Sequence, residues 1–257
     1  MATIQNNAYA RGNDLEGKVA LITGASRNIG RATALALAAG GARIAVNTRA
    51  SRDLAEGVVK DIRAAGGEAE VFMADIADGA QVKSAVEGAL KRFGRIDILV
   101  LNASVRTEVP FLEMSYETWR EPLGITLDGA FFLAQACLPS MLANGGGSIV
   151  TLGGMHSLSG AKKRLHGSVA KHGLVGFTRS IAREFGDRGV RANCVAPGSI
   201  NTVRVNQRSE RPAPTTVPML RYGEAEEIAG AIRFLAGPGS SYVNGQTLHV
   251  NGGELMT

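Results

Sequence analysis

"VALITGASRNIGRATALALA", Val19 to Ala38, decides the architecture. Val19–Thr23 reads as a buried strand. A turn bounded by Gly24 and Gly30 follows at once, and apolar residues then recur at helical spacing. Gly24 and Gly30 permit a tight turn and close helix–strand packing. The exposed amides at the helix start then face a phosphate. Ser26, Arg27, Asn28 and Ile29 complete the turn. A purely structural turn is the plainer interpretation of such glycines. The strand–turn–helix succession, with an acidic residue further along the chain, favours nucleotide binding.

The same alternation extends outward. Residues 43–48, 69–75, 98–103, 148–154, 191–198 and 247–253 are further strand candidates, and segments such as 51–67 and 79–94 carry helical periodicity between them. Apolar strands separated by helices imply right-handed crossovers and a doubly wound parallel α/β sheet covered on both faces. A chain of 257 residues suits one large domain and is short for two. Residues 14–257 read as that single domain, and residues 1–13 as a flexible arm. The stretch "NTVRVNQRSERPAPTTVPML", 201–220, is polar, basic and proline-bearing and follows a strand's carboxyl end. It reads as a substrate loop spanning about 199–220.

Composition narrows the class. Hydrophobic residues make up 45% and aromatics only 5%, which specifies a globular protein with an aliphatic core. The net charge of +5 comes without a dense Lys/Arg block beside stacking aromatics. That argues against a nucleic acid partner and leaves room for an anionic small molecule. Cys137 and Cys194 sit in apolar segments and read as buried thiols, not as a disulfide or metal site. No unbroken run of 18 apolar residues occurs, so no membrane partner is expected, and the cytoplasm is the expected location.

Several of these motifs together resemble the short-chain dehydrogenase/reductase family. "TGASRNIG", 23–30, resembles its T-G-x-x-x-G-x-G, with Asn28 in the middle glycine's place. "MADI" carries Asp75 and Ile76, "NAS" carries Asn102 and Ala103, and "APGSINT" carries Pro197, Gly198, Ile200 and Thr202. "YVNGQTLHVNGG", 242–253, resembles the C-terminal strand, and the match runs from about Leu15 to Gly253 in the manner of 3-oxoacyl-ACP-reductase-like members. The resemblance implies a Rossmann-type fold and an NAD(P)-dependent oxidoreductase acting on a carbonyl or alcohol. It places Asp75 at the adenine, Ile200 and Thr202 at the nicotinamide carboxamide, and Lys171 at the ribose. It further implies pairing through helices 115–144 and 168–186 into a homotetramer.

Cofactor preference follows from charge. NAD enzymes place a carboxylate after the second strand for the ribose hydroxyls, whereas NADP enzymes place positive charge there. Here "VNTRAS" has no acid and supplies Arg49, and Arg27 lies in the first turn. The expectation is NADP(H), with NAD(H) as the second choice.

The catalytic positions depart from the family. Its proton relay uses a tyrosine four residues before the lysine, a serine about thirteen before the tyrosine, and an upstream asparagine. "KHGLVGFTRSIAREFG" sets the register at Lys171, which puts Gly167 in the tyrosine's place and Gly154 in the serine's. Counting from Trp119 puts Thr126 in the asparagine's place. Two glycines should open room beside the nicotinamide. His156 and His166 are the candidate proton donors to fill it, since imidazole titrates near neutrality. A structural, hydrogen-bonded histidine is the plainer interpretation of each. His172, rotated about 100° from Lys171, should pack elsewhere. Ser168 shares the lysine's face but is discounted, and no carboxylate or cysteine accompanies the histidines at metal-ligand spacing. Basic residues at 161–166 and Arg204, Arg208 and Arg211 imply a carboxylate or phosphate on the substrate if they do more than solvate a surface. Two other readings stand beside the oxidoreductase: a non-redox lyase, hydrolase or isomerase on the same scaffold, and a catalytically silent nucleotide-binding protein.

Overall fold

The computed structural model describes residues 11–202 and 214–256. Inside the sheet, next to its middle strand, lies β1, Val19–Ile22, four residues that are all buried. A parallel strand with helices on both faces has no solvated side to offer a polar side chain, hence the unbroken apolar run. The other strands are β2 (Arg43–Thr48), β3 (Ala69–Met73), β4 (Ile98–Leu101), β5 (Gly147–Leu152), β6 (Val190–Pro197) and β7 (Thr247–Val250). All pair in parallel, in the order β3–β2–β1–β4–β5–β6–β7. The order reverses between β1 and β4, so a crevice opens at the carboxyl ends of those two strands. This is the Rossmann-type single domain that the sequence implies.

Helices α1 (Asn28–Ala39), α2 (Arg52–Ala64) and α8 (Ala225–Ala236) cover one face. Leu37, Val58, Ile62, Ile228 and Ile232 pack there with Ile22, Ile44 and Val46. The other face takes α3 (Gly79–Phe93), α5 (Gly129–Ala143) and α7 (Leu165–Phe185), through Val86, Phe93, Leu133, Met141 and Leu174 against Leu21, Leu99 and Ile149. Each such fully buried Leu or Ile contributes about 1.5–3 kcal/mol. Cys137 and Cys194 are buried free thiols, and burial pushes the Cys137 thiol up to about 12.

Helix α4 (Tyr116–Leu123) runs into α5 through a π-helical turn, Gly124–Asp128. The resulting stretch Tyr116–Ala143 is long and apolar enough, by length and composition, to cross a membrane, although it lacks the unbroken apolar run sought in the sequence. Half of it is buried within the fold, as in the core helix of a globular domain. Its outer side still shows Tyr116 and Phe131 to solvent.

Of the expected arm, residues 1–10 lie outside the described residues. Gly12 donates its amide to the Ala39 carbonyl at 3.0 Å and Arg11 reaches the Ala65 carbonyl at 2.6 Å, so the end of that stretch is fastened to α1 and α2. Of the expected substrate loop, residues 203–213, with Arg204, Arg208 and Arg211, lie outside the described residues as well.

The turn after β1 is where glycine is required. A Cβ on Gly30 would stand 2.2 Å from the Gly24 carbonyl oxygen and 2.7 Å from the Asn102 amide nitrogen. Gly30→Ala should therefore cost about 3 kcal/mol in urea unfolding. Gly57→Ala, on an α2 position where a Cβ meets nothing within 4 Å, should gain up to about 1 kcal/mol. Equal stabilities for the two variants would refute the account of the turn.

Candidate active site

The crevice is built on a cross-brace between β1 and β4. The Thr23 hydroxyl accepts from the amides of Asn102 and Ala103, each at 3.0 Å, and lies 3.3 Å from the Val100 carbonyl. The Asn102 side-chain amide donates to the carbonyls of Thr23 (2.8 Å) and Gly24 (3.1 Å). Asn102 thus borders the crevice while its amide is spent on the turn. Gly24 and Asn28 both have positive φ, 61° and 49°. Asparagine is the residue that tolerates this best after glycine, which explains its place where the family has a glycine.

Helix α1 begins at Asn28 with no side-chain cap on its first amides and no acid in its first turn. Its positive end is left for an anion. Together with the close Gly24–Gly30 approach, this fits a dinucleotide pyrophosphate. At the ends of β2 and β3, Arg49 and Asp75 lie 3.5 Å apart as a half-exposed ion pair, so the two residues expected to act on different parts of the nucleotide hold each other. Asp75 also accepts from the Ala77 amide at 3.0 Å. The Ile76 side chain belongs to the core, not to the crevice, and Ser26 is buried beneath the turn whereas Arg27 is exposed.

Beyond the turn the crevice deepens into a cleft of about 340 Å³. Ile29, Asn102, Lys171, Pro197, Gly198, Ile200 and Thr202 all line it, as do His156, His166, Gly154, Gly167 and Thr126. A Cβ added at Gly154 or Gly167 would meet nothing within 4 Å. Both positions, which the resemblance would give to a serine and a tyrosine, border open space. Thr126 is buried in the π-helical turn, a distortion often found at functional sites.

The three histidines near Lys171 lie in different surroundings. His166 is 1% exposed; its Nε2 is 2.7 Å from the Thr107 hydroxyl, and its buried Nδ1 has no partner. The buried Nδ1 of His156 has none either. Desolvation lowers the pKa of both rings, helped at His156 by Arg164 and Arg106. Both are neutral at pH 7. His172 instead sets its Nδ1 3.1 Å from the Ser157 carbonyl, outside the cleft.

Lys171 donates to the Leu152 carbonyl at the end of β5. The residue as a whole is half-buried, but its amine lies deep enough that desolvation lowers its pKa to about 8. At the mouth, Arg164 binds Glu108 through Nε at 2.9 Å and through Nη2, and Arg106 lies 3.9 Å from the same carboxylate. Two guanidinium groups thus meet one carboxylate at the rim. Of the basic stretch 161–166, Arg164 and His166 line the cleft, while Lys162 and Lys163 point to solvent.

Among the lining residues that the sequence reading did not select are Ser168, Thr107 and Arg106. Ser168, discounted there, has a buried hydroxyl without a partner. Its shared helical face with Lys171 was the signal. Thr107 and Arg106 lie in the irregular stretch after β4, where no periodicity marks a residue. Among the described residues no group of three or more His, Cys, Asp and Glu could hold a metal ion.

Comparison with known proteins agrees with this geometry. A family profile described as enoyl-(acyl carrier protein) reductase matches residues 24–254, and the chain belongs to the short-chain dehydrogenase/reductase family. By class it is an oxidoreductase with an NAD(P)-binding Rossmann fold. It is 41% identical to the 3-oxoacyl-[acyl-carrier-protein] reductase of Synechocystis over 94% of this chain and 98% of that one. It is 38% identical to 3-oxoacyl-[acyl-carrier-protein] reductase FabG of Escherichia coli K12, over 95% and 99%. Among solved structures, a protein from Beutenbergia cavernae described as an NAD(P)-dependent gluconate 5-dehydrogenase, with bound NADP at low occupancy, superposes with a TM-score of 0.88. That pair is 37% identical and covers 96% of this chain and 100% of that one. A Sinorhizobium meliloti protein described as a short-chain alcohol dehydrogenase gives a TM-score of 0.89 at 33% identity, covering 94% and 97%.

Proposed function

We propose that this chain is an NADP(H)-dependent oxidoreductase of small, anionic alcohols and carbonyl compounds, in which an imidazole replaces the family's tyrosine. The observation that carries the reading is the open space at Gly154 and Gly167, bordered by two unpartnered histidine nitrogens in the same cleft. When bound, the nicotinamide supplies or accepts the hydride. Gly24, Ser26, Arg27, Asn28, Ile29 and Gly30 would hold the pyrophosphate, and Arg49 the 2′-phosphate. Asp75 and Ile76 would border the adenine. Asn102, Ala103, Lys171, Pro197, Gly198, Ile200 and Thr202 would hold the nicotinamide riboside end.

His166 is the better placed of the two histidines. Thr107 holds its Nε2, and its ring lines the cleft in which the substrate oxygen would lie. The ring is neutral at pH 7 and works there as a general base, taking the hydroxyl proton during alcohol oxidation. Carbonyl reduction needs the imidazolium, because an unaided alkoxide in a dry site is costly. Arg164 and Arg106 at the mouth favour a carboxylate or phosphate on the substrate. The name 3-oxoacyl-ACP reductase carried by the relatives states an activity and not a proton relay, so likeness to them does not supply the relay of this chain.

The pKa shift sets the pH window. Since burial lowers the His166 pKa below its ordinary 6.5, oxidation should hold steady at neutral pH and fall as pH drops below 6.5. Reduction should rise over the same interval. His166→Ala should abolish that limb and lower kcat/KM on the order of 100-fold. Gly154→Ser combined with Gly167→Tyr should add reduction of simple ketones at neutral pH. If His166→Ala and His156→Ala both keep the parental pH profile, no histidine carries the proton.

Arg49 predicts the nucleotide preference. Fluorescence titration should show tighter binding of NADPH than of NADH, and Arg49→Ala should weaken NADPH by roughly tenfold while leaving NADH within about twofold. Equal affinities in the parent would contradict the assignment.

The apolar outer side of α4 and α5 supports assembly into a homotetramer, which buries such surfaces as Phe131. Light scattering at micromolar concentration should give four times the chain mass. A monomer would remove the assembly from the reading.

A further inference from the structure

Lys171 is a buried amine without a counter-ion. Among the described residues no carboxylate lies within ion-pair distance of it, and its recorded partner is the neutral Leu152 carbonyl. In the family that this chain joins, the space in front of this amine belongs to a tyrosine. Here a glycine stands one helical turn before it, and nothing comes within 4 Å of where a Cβ would be. The same cleft holds three buried polar atoms with no partner: His156 Nδ1, His166 Nδ1 and Ser168 Oγ. Its mouth carries Arg164 and Arg106 around one shared acid, Glu108. Amine, room, proton-carrying groups and an anion-attracting rim thus meet in one cleft.

We propose that Lys171 condenses with small oxo acids, so that this chain captures a carbonyl compound covalently as an imine, independently of any nucleotide. The Nζ lone pair attacks the carbonyl carbon. The two amine hydrogens leave with the carbonyl oxygen as one water molecule, and a carbon–nitrogen double bond remains. No oxidant or reductant takes part. The imidazoles of His156 and His166 can pass protons between nitrogen and oxygen during the loss of water. The carboxylate of the oxo acid faces Arg164 at the mouth, whose Nε and Nη2 are held by Glu108 and whose Nη1 is left to donate. A tyrosine at position 167 would fill the space that the carbonyl carbon needs, so the reaction depends on Gly167.

The amine is also in the right state. With a pKa of about 8, about a tenth of it is neutral at pH 7, against less than a thousandth of an ordinary lysine. Desolvation in an apolar surrounding is a recognised way to turn a lysine into a nucleophile.

The test uses the full chain without nucleotide, with pyruvate as the probe and cyanoborohydride to reduce any imine to a stable amine. The mass should rise by one pyruvate less one oxygen atom, and peptide mapping should place the adduct on Lys171, at least tenfold above every other lysine. Labelling should increase with pH around a midpoint near 8. Arg164→Gln should slow it at least threefold, and Gly167→Tyr should suppress it. Lys171→Arg removes the nucleophile while keeping the charge; should that variant fail to fold, the wild-type peptide map decides by itself. Labelling absent from Lys171, or spread evenly over the surface lysines, would overturn the proposal. A rate unchanged in Arg164→Gln would overturn the assignment to oxo acids.

Discussion

The cross-brace between Thr23 and Asn102 is the constraint on which the site depends. One hydroxyl and one side-chain amide tie the end of β1 to the end of β4, across the line where strand order reverses. With Gly30 pressed against the Gly24 carbonyl, the chain has no freedom left in this turn, and α1 is aimed across the sheet's edge. Because all seven strands are parallel, the ends of β5 and β6 arrive at the same edge. The Leu152 carbonyl, the glycines after it and the segment from Pro197 to Ile200 therefore face the start of α1 across one cleft. The buried chain around this edge leaves few side chains that can move without disturbing the brace.

Electrostatics in the cleft follow from what is missing. With glycine at position 167, no hydroxyl from that position meets the Lys171 ammonium; desolvation dominates its shift, and the neighbouring Cys194 acts the other way. His156 lies in a surrounding that already carries guanidinium groups, which disfavours a further positive charge, whereas at His166 burial alone does so, against the opposing pull of Glu121. The site is thus rich in basic nitrogen but poor in protonated imidazole at neutral pH. Such a site favours taking a proton over giving one. That balance differs from the relay inferred for the family, although the nucleotide scaffold around it is of the family's kind. A shared scaffold sets where a substrate can lie, and the residues grafted on it set what happens there.

The arginines at the rim show how a charge run divides on folding. Arg164 turns inward and binds Glu108, while its neighbours Lys162 and Lys163 remain solvated. The bend that separates them is marked by Lys163, a non-glycine residue with positive φ of 59°. Its carbonyl accepts from the Val109 amide at 2.8 Å, which joins the two loops that bear Arg106 and Arg164. Loop-to-loop contacts of this kind make the mouth of the cleft one structure.

Much of the fold was legible in the chain by itself. The strands announced themselves as apolar runs, and helices such as α2 and α3 by their periodicity, because both signals are written into residues two to four positions apart. The same locality placed Gly167 one turn before Lys171 and so exposed the departure from the family. The site was legible only in outline. His166 meets Thr107 across 59 residues of chain, Arg164 meets Glu108 across 56, and Asn102 braces Thr23 across 79. Arg49, read as an anion partner, proved to lie beside Asp75. No local pattern encodes such meetings. They are decided by how the crossovers bring loops from separate strands to one edge, and it is burial at that edge, absent from any short stretch of sequence, that shifts the protons.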